Sequence, residues 1–92
     1  MGHISLKPHA EIDELIASIN QKQIILHNDD INSFEHVIMT LINYCDHSPE
    51  QAEQCAFIVH HNGKCGIKTG SIDKLKPIYQ ALLAEDLTVT IQ

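Results

Sequence analysis

Tryptophan is absent from this chain, and only two Phe and two Tyr stand among its 92 residues. Basic residues are scarce as well. Six Lys and Arg face twelve Asp and Glu, a net charge of −6. Binding to nucleic acid at large needs a basic face that displaces counterions, so this balance argues against it. A cationic ligand suits it better. No apolar run approaches the roughly 18 residues that a membrane span requires. No apolar segment behind basic residues opens the chain, so the expected compartment is the cytoplasm. The cysteines are Cys45, Cys55 and Cys65, an odd number without a secretion signal, which argues against a disulfide framework. They stand ten apart, and neither CxxC nor HxxxH spacing occurs, so no metal is expected. Four glycines form no phosphate-cradling loop, and no G-x-S-x-G nucleophile motif is present. No cofactor is expected.

What is present is a strong alternation of periodicities. Ile12, Leu15, Ile16 and Ile19 fall on one helical face between Ala10 and Asn20. Gln23 to His27 is rich in Ile and reads as a buried strand. Asn32 is expected to cap the next helix, with Glu35 as its reciprocal partner. Phe34, Val37, Ile38, Leu41, Ile42 and Cys45 form that helix's apolar face. Ser48, Pro49 and Gln51 mark a further helix start, and Gly63 supplies the left-handed residue past its end near Asn62. A short strand follows from Lys64 to Thr69. Ser71 caps a helix with Ile72, Leu75, Ile78, Tyr79, Leu82 and Leu83 turned inward. Pro77 in its interior costs stability or forces a kink unless the helix starts late. Leu87, Val89 and Ile91 alternate with Thr88 and Thr90 as in a strand. The order α-β-α-α-β-α-β predicts an α+β domain, a three-stranded sheet with three helices on one face plus an N-terminal helix. At this length one domain with one modest core is expected.

The polar run His27-Asn28-Asp29-Asp30 lies between a strand and a helix N-terminus. In general such a tripeptide makes a turn, because Asn and Asp favour Asx geometry. The alternative is a cation trap, since an amide and two carboxylates converge there. His60 ends the second core helix, one turn from Ala56 and next to Val59, and can face a pocket rim. His61 is read as a surface histidine favoured by the helix dipole. Asp30 and His60 could also form an acid/base pair for hydrolysis.

These residues, in this order, resemble the ClpS family, the adaptors of bacterial Clp ATP-dependent proteases. The resemblance runs from about Gln23 to Gln92. It rests on Ile25-Leu26-His27-Asn28-Asp29-Asp30, Glu35, Val37-Ile38, Ala52, Val59-His60, Gly63-Lys64, Cys65-Gly66 and Thr69. It implies an antiparallel ClpS-like sheet and a division into an N-terminal extension, residues 1–22, and an adaptor core, residues 23–92. The extension's apolar stripe is expected to dock on the core or on a partner. The resemblance also implies a non-enzymatic function. Members bind proteins that begin with Leu, Phe, Tyr or Trp, the bacterial N-degrons, and pass them to a ClpA-like or ClpC-like AAA+ unfoldase that feeds ClpP. Carried across, Asn28, Asp30 and His60, with Asp29 beside them, match the group that holds the substrate α-amino end. Ile31, Asn32, Phe34, Val37, Ala56 and Leu87 match the walls of the side-chain pocket. Lys76 matches a basic residue on the unfoldase-docking face. The chain departs from the family pattern at three places. Asn32-Ser33-Phe34 stands where Thr-Pro-Met is usual, Ala56 where Met is common, and Ser71 where a docking-face acid is usual. A small hydrolase and a same-fold interaction domain without N-degron binding are the competing expectations.

Overall fold

The computed structural model describes residues 8–92. Seven elements follow one another: α1 (Pro8–Ile19), β1 (Gln21–His27), α2 (Phe34–Cys45), α3 (Pro49–Asn62), β2 (Lys64–Ser71), α4 (Ile72–Ala84) and β3 (Val89–Ile91). The expected order is the observed one. The three strands pair antiparallel in the order β2-β1-β3, and α2, α3 and α4 pack on one face. Ile24 and Leu26 point from β1 into a core with Leu41, Cys45, Val59, Leu75, Leu82, Leu87 and Val89.

Three strand boundaries differ from expectation, and one of them is the start of β3 at Val89 where the alternation began at Leu87. β1 begins at Gln21, two residues early, and β2 continues to Ser71, because Gln21 pairs with Ser71 and Lys22 with Gly70. That extension is held by backbone pairing and carries no apolar alternation to read. The register slips between Ile24 and Ile25, which pair with Lys68 and Gly66 and leave Ile67 as a bulge. The freed Ile67 carbonyl accepts a 2.8 Å hydrogen bond from Nε2 of the buried His47. A carbonyl only accepts, so Nε2 carries the proton and Nδ1 is the bare nitrogen. Nδ1 is buried without a partner among the described residues.

The helix caps explain where the chain turns. α3 begins with a capping box, in which the Ser48 hydroxyl accepts from the Gln51 backbone N–H and the Gln51 side chain accepts from the Ser48 N–H. Gly63 ends it at φ 92°, and its N–H returns to the Val59 carbonyl at 2.9 Å. α4 is capped by Ser71 and runs unbroken from Ile72, with Pro77 inside it, so the late start is excluded. The residue expected to cap α2 was Asn32. The cap is Ser33, whose Oγ accepts from His36 N at 3.1 Å. Asn32 is committed elsewhere, as shown below.

On α1 the apolar stripe is not seated on the core. Ile12, Leu15, Ile16 and Ile19 are all at least half exposed.

Candidate functional site

β1 delivers its C-terminal residue next to the end of α3. The Asn28 backbone N–H donates to the Gly63 carbonyl at 2.9 Å, just past the turn that carries His60. The chain then makes the loop from Asn28 to Ser33 before α2 starts.

Asp29 organises that loop. Its Oδ1 accepts from the backbone N–H groups of Ile31 at 3.0 Å and Asn32 at 2.9 Å. Its Oδ2 accepts from Asn32 Nδ2 and from the Thr88 hydroxyl, both at 2.8 Å. An ionised carboxylate has about four lone-pair sites. All of them are used. Partial desolvation pushes the Asp29 carboxyl upward, but the bonds from Asn32, Thr88 and Ile31 outweigh it and hold the group at about 2, below the usual 3.8. Asn32 Nδ2 donates a second bond, to the Asp86 carbonyl at 2.9 Å. Asn32 thus belongs to the loop, and the next residue, Ser33, caps α2. His36 Nε2 adds a 2.8 Å bond to the Glu85 carbonyl. The loop is thus strapped to the turn between α4 and β3, where Asp86 takes a left-handed φ of 64°.

Asn28 and Asp30 supply none of these side-chain bonds, and both stay exposed. They border a cavity of about 340 Å³ between the loop, α2 and α3. Phe34 and Val37 form its α2 wall, and Ala56 and Val59 its α3 wall. Asn28, Asp29, Asp30, Asn32 and His60 make the polar side. His60 is exposed, and the His61 ring meets it edge-on at 5.0 Å.

Eight of the sequence-derived positions therefore meet at one cavity. Three do not. Ile31 was expected in a wall, but it is 86% exposed and points away, because Asp29 holds its backbone N–H inward. Leu87 was expected there too. It is core, and it backs a void of about 30 Å³ behind Asn28, Asp29, Asn32, Val37 and Val59. Lys76 is exposed on α4 and lines neither cavity. Val59 is a wall residue that sequence reasoning did not place, although it sits three residues past Ala56 on the same helical face. Thr88 and Asp86 were missed entirely.

The cysteines behave as small hydrophobes. Burial pushes the Cys45 thiol up to about 11 and, with a hydrogen bond to Cys65, the Cys55 thiol to about 12. Neither is a ready nucleophile. Among the described residues no three His, Cys, Asp or Glu side chains gather as a metal site. Nor is any described helix long and apolar enough to cross a membrane.

A polar notch opening onto an apolar cavity, on a sheet covered by three helices, defines a small binding module. Residues 18–90 match the family model of the ATP-dependent Clp protease adaptor protein ClpS. The chain belongs to the ClpS family, whose members are adaptors and not enzymes. It is 29% identical over 68 residues to the ATP-dependent Clp protease adapter protein ClpS of Streptomyces coelicolor, covering 74% of this chain and 71% of that one. To the ClpS of Campylobacter jejuni it is 40% identical over 52 residues, 54% of each chain. The match thus spans about half the length of the Campylobacter relative. The structure of Agrobacterium tumefaciens ClpS2 bound to L-phenylalaninamide has the same fold, with a TM-score of 0.72 at 19% identity, over 79% of this chain and 95% of that one. The hydrolase reading of Asp30 and His60 is set aside by this membership.

Proposed function

We propose that the cavity holds the first residue of substrate proteins, gripping the free α-amino group at its polar rim and a bulky apolar side chain, Leu, Phe, Tyr or Trp, between its walls. One observation carries the reading. Asn28, Asp30 and His60, from two elements far apart in sequence, border the same apolar cavity with side chains that the loop scaffold does not use.

The chemistry fits an ammonium. A protein N-terminus has a pKa of about 7.7–8, so it is mostly charged at neutral pH and offers three donors. Asn28 offers a carbonyl oxygen, Asp30 a full negative charge and neutral His60 a ring lone pair. Hydrogen bonds to charged groups contribute roughly 1.5–3 kcal/mol each. An internal peptide nitrogen is uncharged and has one hydrogen, so it leaves acceptors unfilled. Burying the first side chain adds about 1.5–3 kcal/mol. The cavity, at about 340 Å³, is at the small end of ligand sites. That the related Agrobacterium protein is seen with L-phenylalaninamide, which carries a free α-amine and a benzyl side chain on one carbon, supports the assignment.

Asp29 has a different part in this scheme. With every lone pair engaged, it shapes the loop and leaves the ligand to Asp30. The opposite size changes at Phe34 and Ala56 act as a pair. Bulk is moved from the α3 wall to the α2 wall, and the two walls meet at this cavity. From there the captured protein passes to a ClpA-like or ClpC-like AAA+ unfoldase with ClpP, docked through the face that carries Lys76. Residues 1–22 form the extension that takes part in delivery, and the protein works in the cytoplasm.

The test is a titration of labelled peptides that differ only in the first residue, each with a free and an acetylated N-terminus. Binding of Leu-, Phe-, Tyr- and Trp-led peptides that acetylation abolishes is the expected result. Equal binding of both forms would falsify the reading. Restoring Met at both Phe34 and Ala56 is expected to shift the order of preference, and an unchanged order removes the pair from specificity.

A further inference from the structure

A second hollow adjoins the first. It has a volume of about 320 Å³ and is lined by Phe34, Glu50, Glu53, Gln54 and Phe57. Phe34 is the shared wall, since it lines both spaces. Glu50, Glu53, Gln54 and Phe57 stand at i, i+3, i+4 and i+7 of α3 and so form one helical stripe. Phe57 is 58% exposed, and its ring packs at a tilt against that of His61 with centroids 4.1 Å apart. Two exposed carboxylates and two part-exposed rings thus meet in one groove.

Resting on the N-degron reading above, we infer that this groove receives the side chain of the substrate's second residue and selects a basic one, arginine before lysine. Only one ring separates the two hollows, and consecutive Cα atoms lie about 3.8 Å apart. A first residue seated beyond Phe34 therefore leaves its successor beside the groove. The lining calls for a long apolar stem with a cationic head. The stem lies along the faces of Phe34 and Phe57, whose negative quadrupole attracts the cation. The head meets Glu50 and Glu53. A planar guanidinium can stack and bridge the two carboxylates at once, which a lysine ammonium does less well. An acidic second residue is repelled. The groove adds selection without touching Asn28, Asp30 or His60, so the two grips are separable.

Peptides of the form Phe-Xaa, with Xaa Arg, Lys, Ala or Glu and an otherwise fixed sequence, provide the test. Each is titrated into the intact chain, the Glu50→Gln/Glu53→Gln double variant and Phe57→Leu. In the unaltered chain Phe-Arg is expected to bind about three- to tenfold more tightly than Phe-Ala, and Phe-Glu more weakly. The double variant should bring the Arg-to-Ala ratio close to one and leave the affinity for Phe-Ala unchanged. Phe57→Leu, which alters no charge, should lower the ratio in part. A ratio near one in the unaltered chain overturns the inference. So does a ratio that survives in the double variant, and so does a double variant that weakens every peptide alike, which would be the signature of net charge alone. The acetylated Phe-Ala peptide keeps the two questions apart. If it binds as well as the free one, the N-degron reading itself fails, whereas a flat response to Xaa with acetyl-sensitive binding removes only the groove.

Discussion

Asp29 and Asp30 are neighbours in the loop after β1, yet Asp29 accepts hydrogen bonds from Ile31, Asn32 and Thr88 while Asp30 stays exposed at the cavity rim. Two carboxylates of the same chemistry thus stand differently, one spent on holding the loop and one with a free side chain at the rim, where the proposed reading puts the ligand. The contrast divides the whole site. Its scaffold is Asp29, Asn32, Thr88 and the carbonyls of Glu85 and Asp86, and its proposed working surface is Asn28, Asp30 and His60. Stability should respond to the first set and binding to the second.

The largest effect is expected at Asp29. Asp29→Ala removes the acceptor of four hydrogen bonds, leaving two backbone N–H groups and the Thr88 hydroxyl without it and Asn32 Nδ2 with only its bond to Asp86. A loss of about 2–4 kcal/mol in denaturant unfolding is expected, with peptide affinity falling as the loop comes loose. Asp30→Asn makes the sharper counterpart. Its unfolding midpoint should stay within about 0.5 kcal/mol of the unaltered chain. Its affinity for a Leu- or Phe-led peptide should fall by about 1.5–3 kcal/mol, roughly ten- to a hundredfold. If Asp30→Asn unfolds the domain and Asp29→Ala binds normally, the division of tasks is reversed.

How much of this was readable in advance depends on distance along the chain. The element order follows from local periodicity, and the α3 caps follow from Ser48, Gln51 and Gly63, all signals within a few residues. The approach of Asn28 to His60 came from family resemblance and has a local cause only in the bond from Asn28 to Gly63. Thr88 and Asp86 were illegible, since their bonds to Asp29 and Asn32 span 59 and 54 residues. The misplaced cap has the same origin. Asn32 and Ser33 both suit an N-cap, and a distant carbonyl decides between them. The stripes of α1 and α2 show the limit of periodicity. Both repeat apolar residues at helical spacing, yet Leu41 and Cys45 are buried and Leu15 and Ile19 are exposed. A moment says which face is greasy and nothing about what covers it.

Acid should reveal the scaffold next. The Asp29 carboxyl sits at about 2 in the folded chain against an ordinary 3.8. A depressed folded value means that the ionised group favours folding. The contribution is therefore complete above about pH 4 and is lost as the pH falls towards 2. Allowing for solvent screening of a part-exposed group, about 1–2 kcal/mol should disappear across that window. Asp29→Asn should flatten this part of the stability-against-pH curve. Asp30→Asn should leave it in place. An equal flattening by both would mean that the loop does not distinguish its two acids.

Thr88→Val gives the smallest and most specific test. The substitution keeps the β-branched shape that suits a residue flanking β3 and removes one hydroxyl. Thr88 is exposed, so no buried group is stranded, and the expected cost is about 0.5–1.5 kcal/mol. The effect on Asp29 is more telling than the effect on stability. Its carboxylate loses one of four donors, so its pKa should rise from about 2 towards the usual range, which a carboxyl-detected titration by NMR reads directly. An Asp29 pKa that does not move would show that the strap from β3 does not bear on the loop, and that the local bonds from Ile31 and Asn32 alone hold the polar notch in shape.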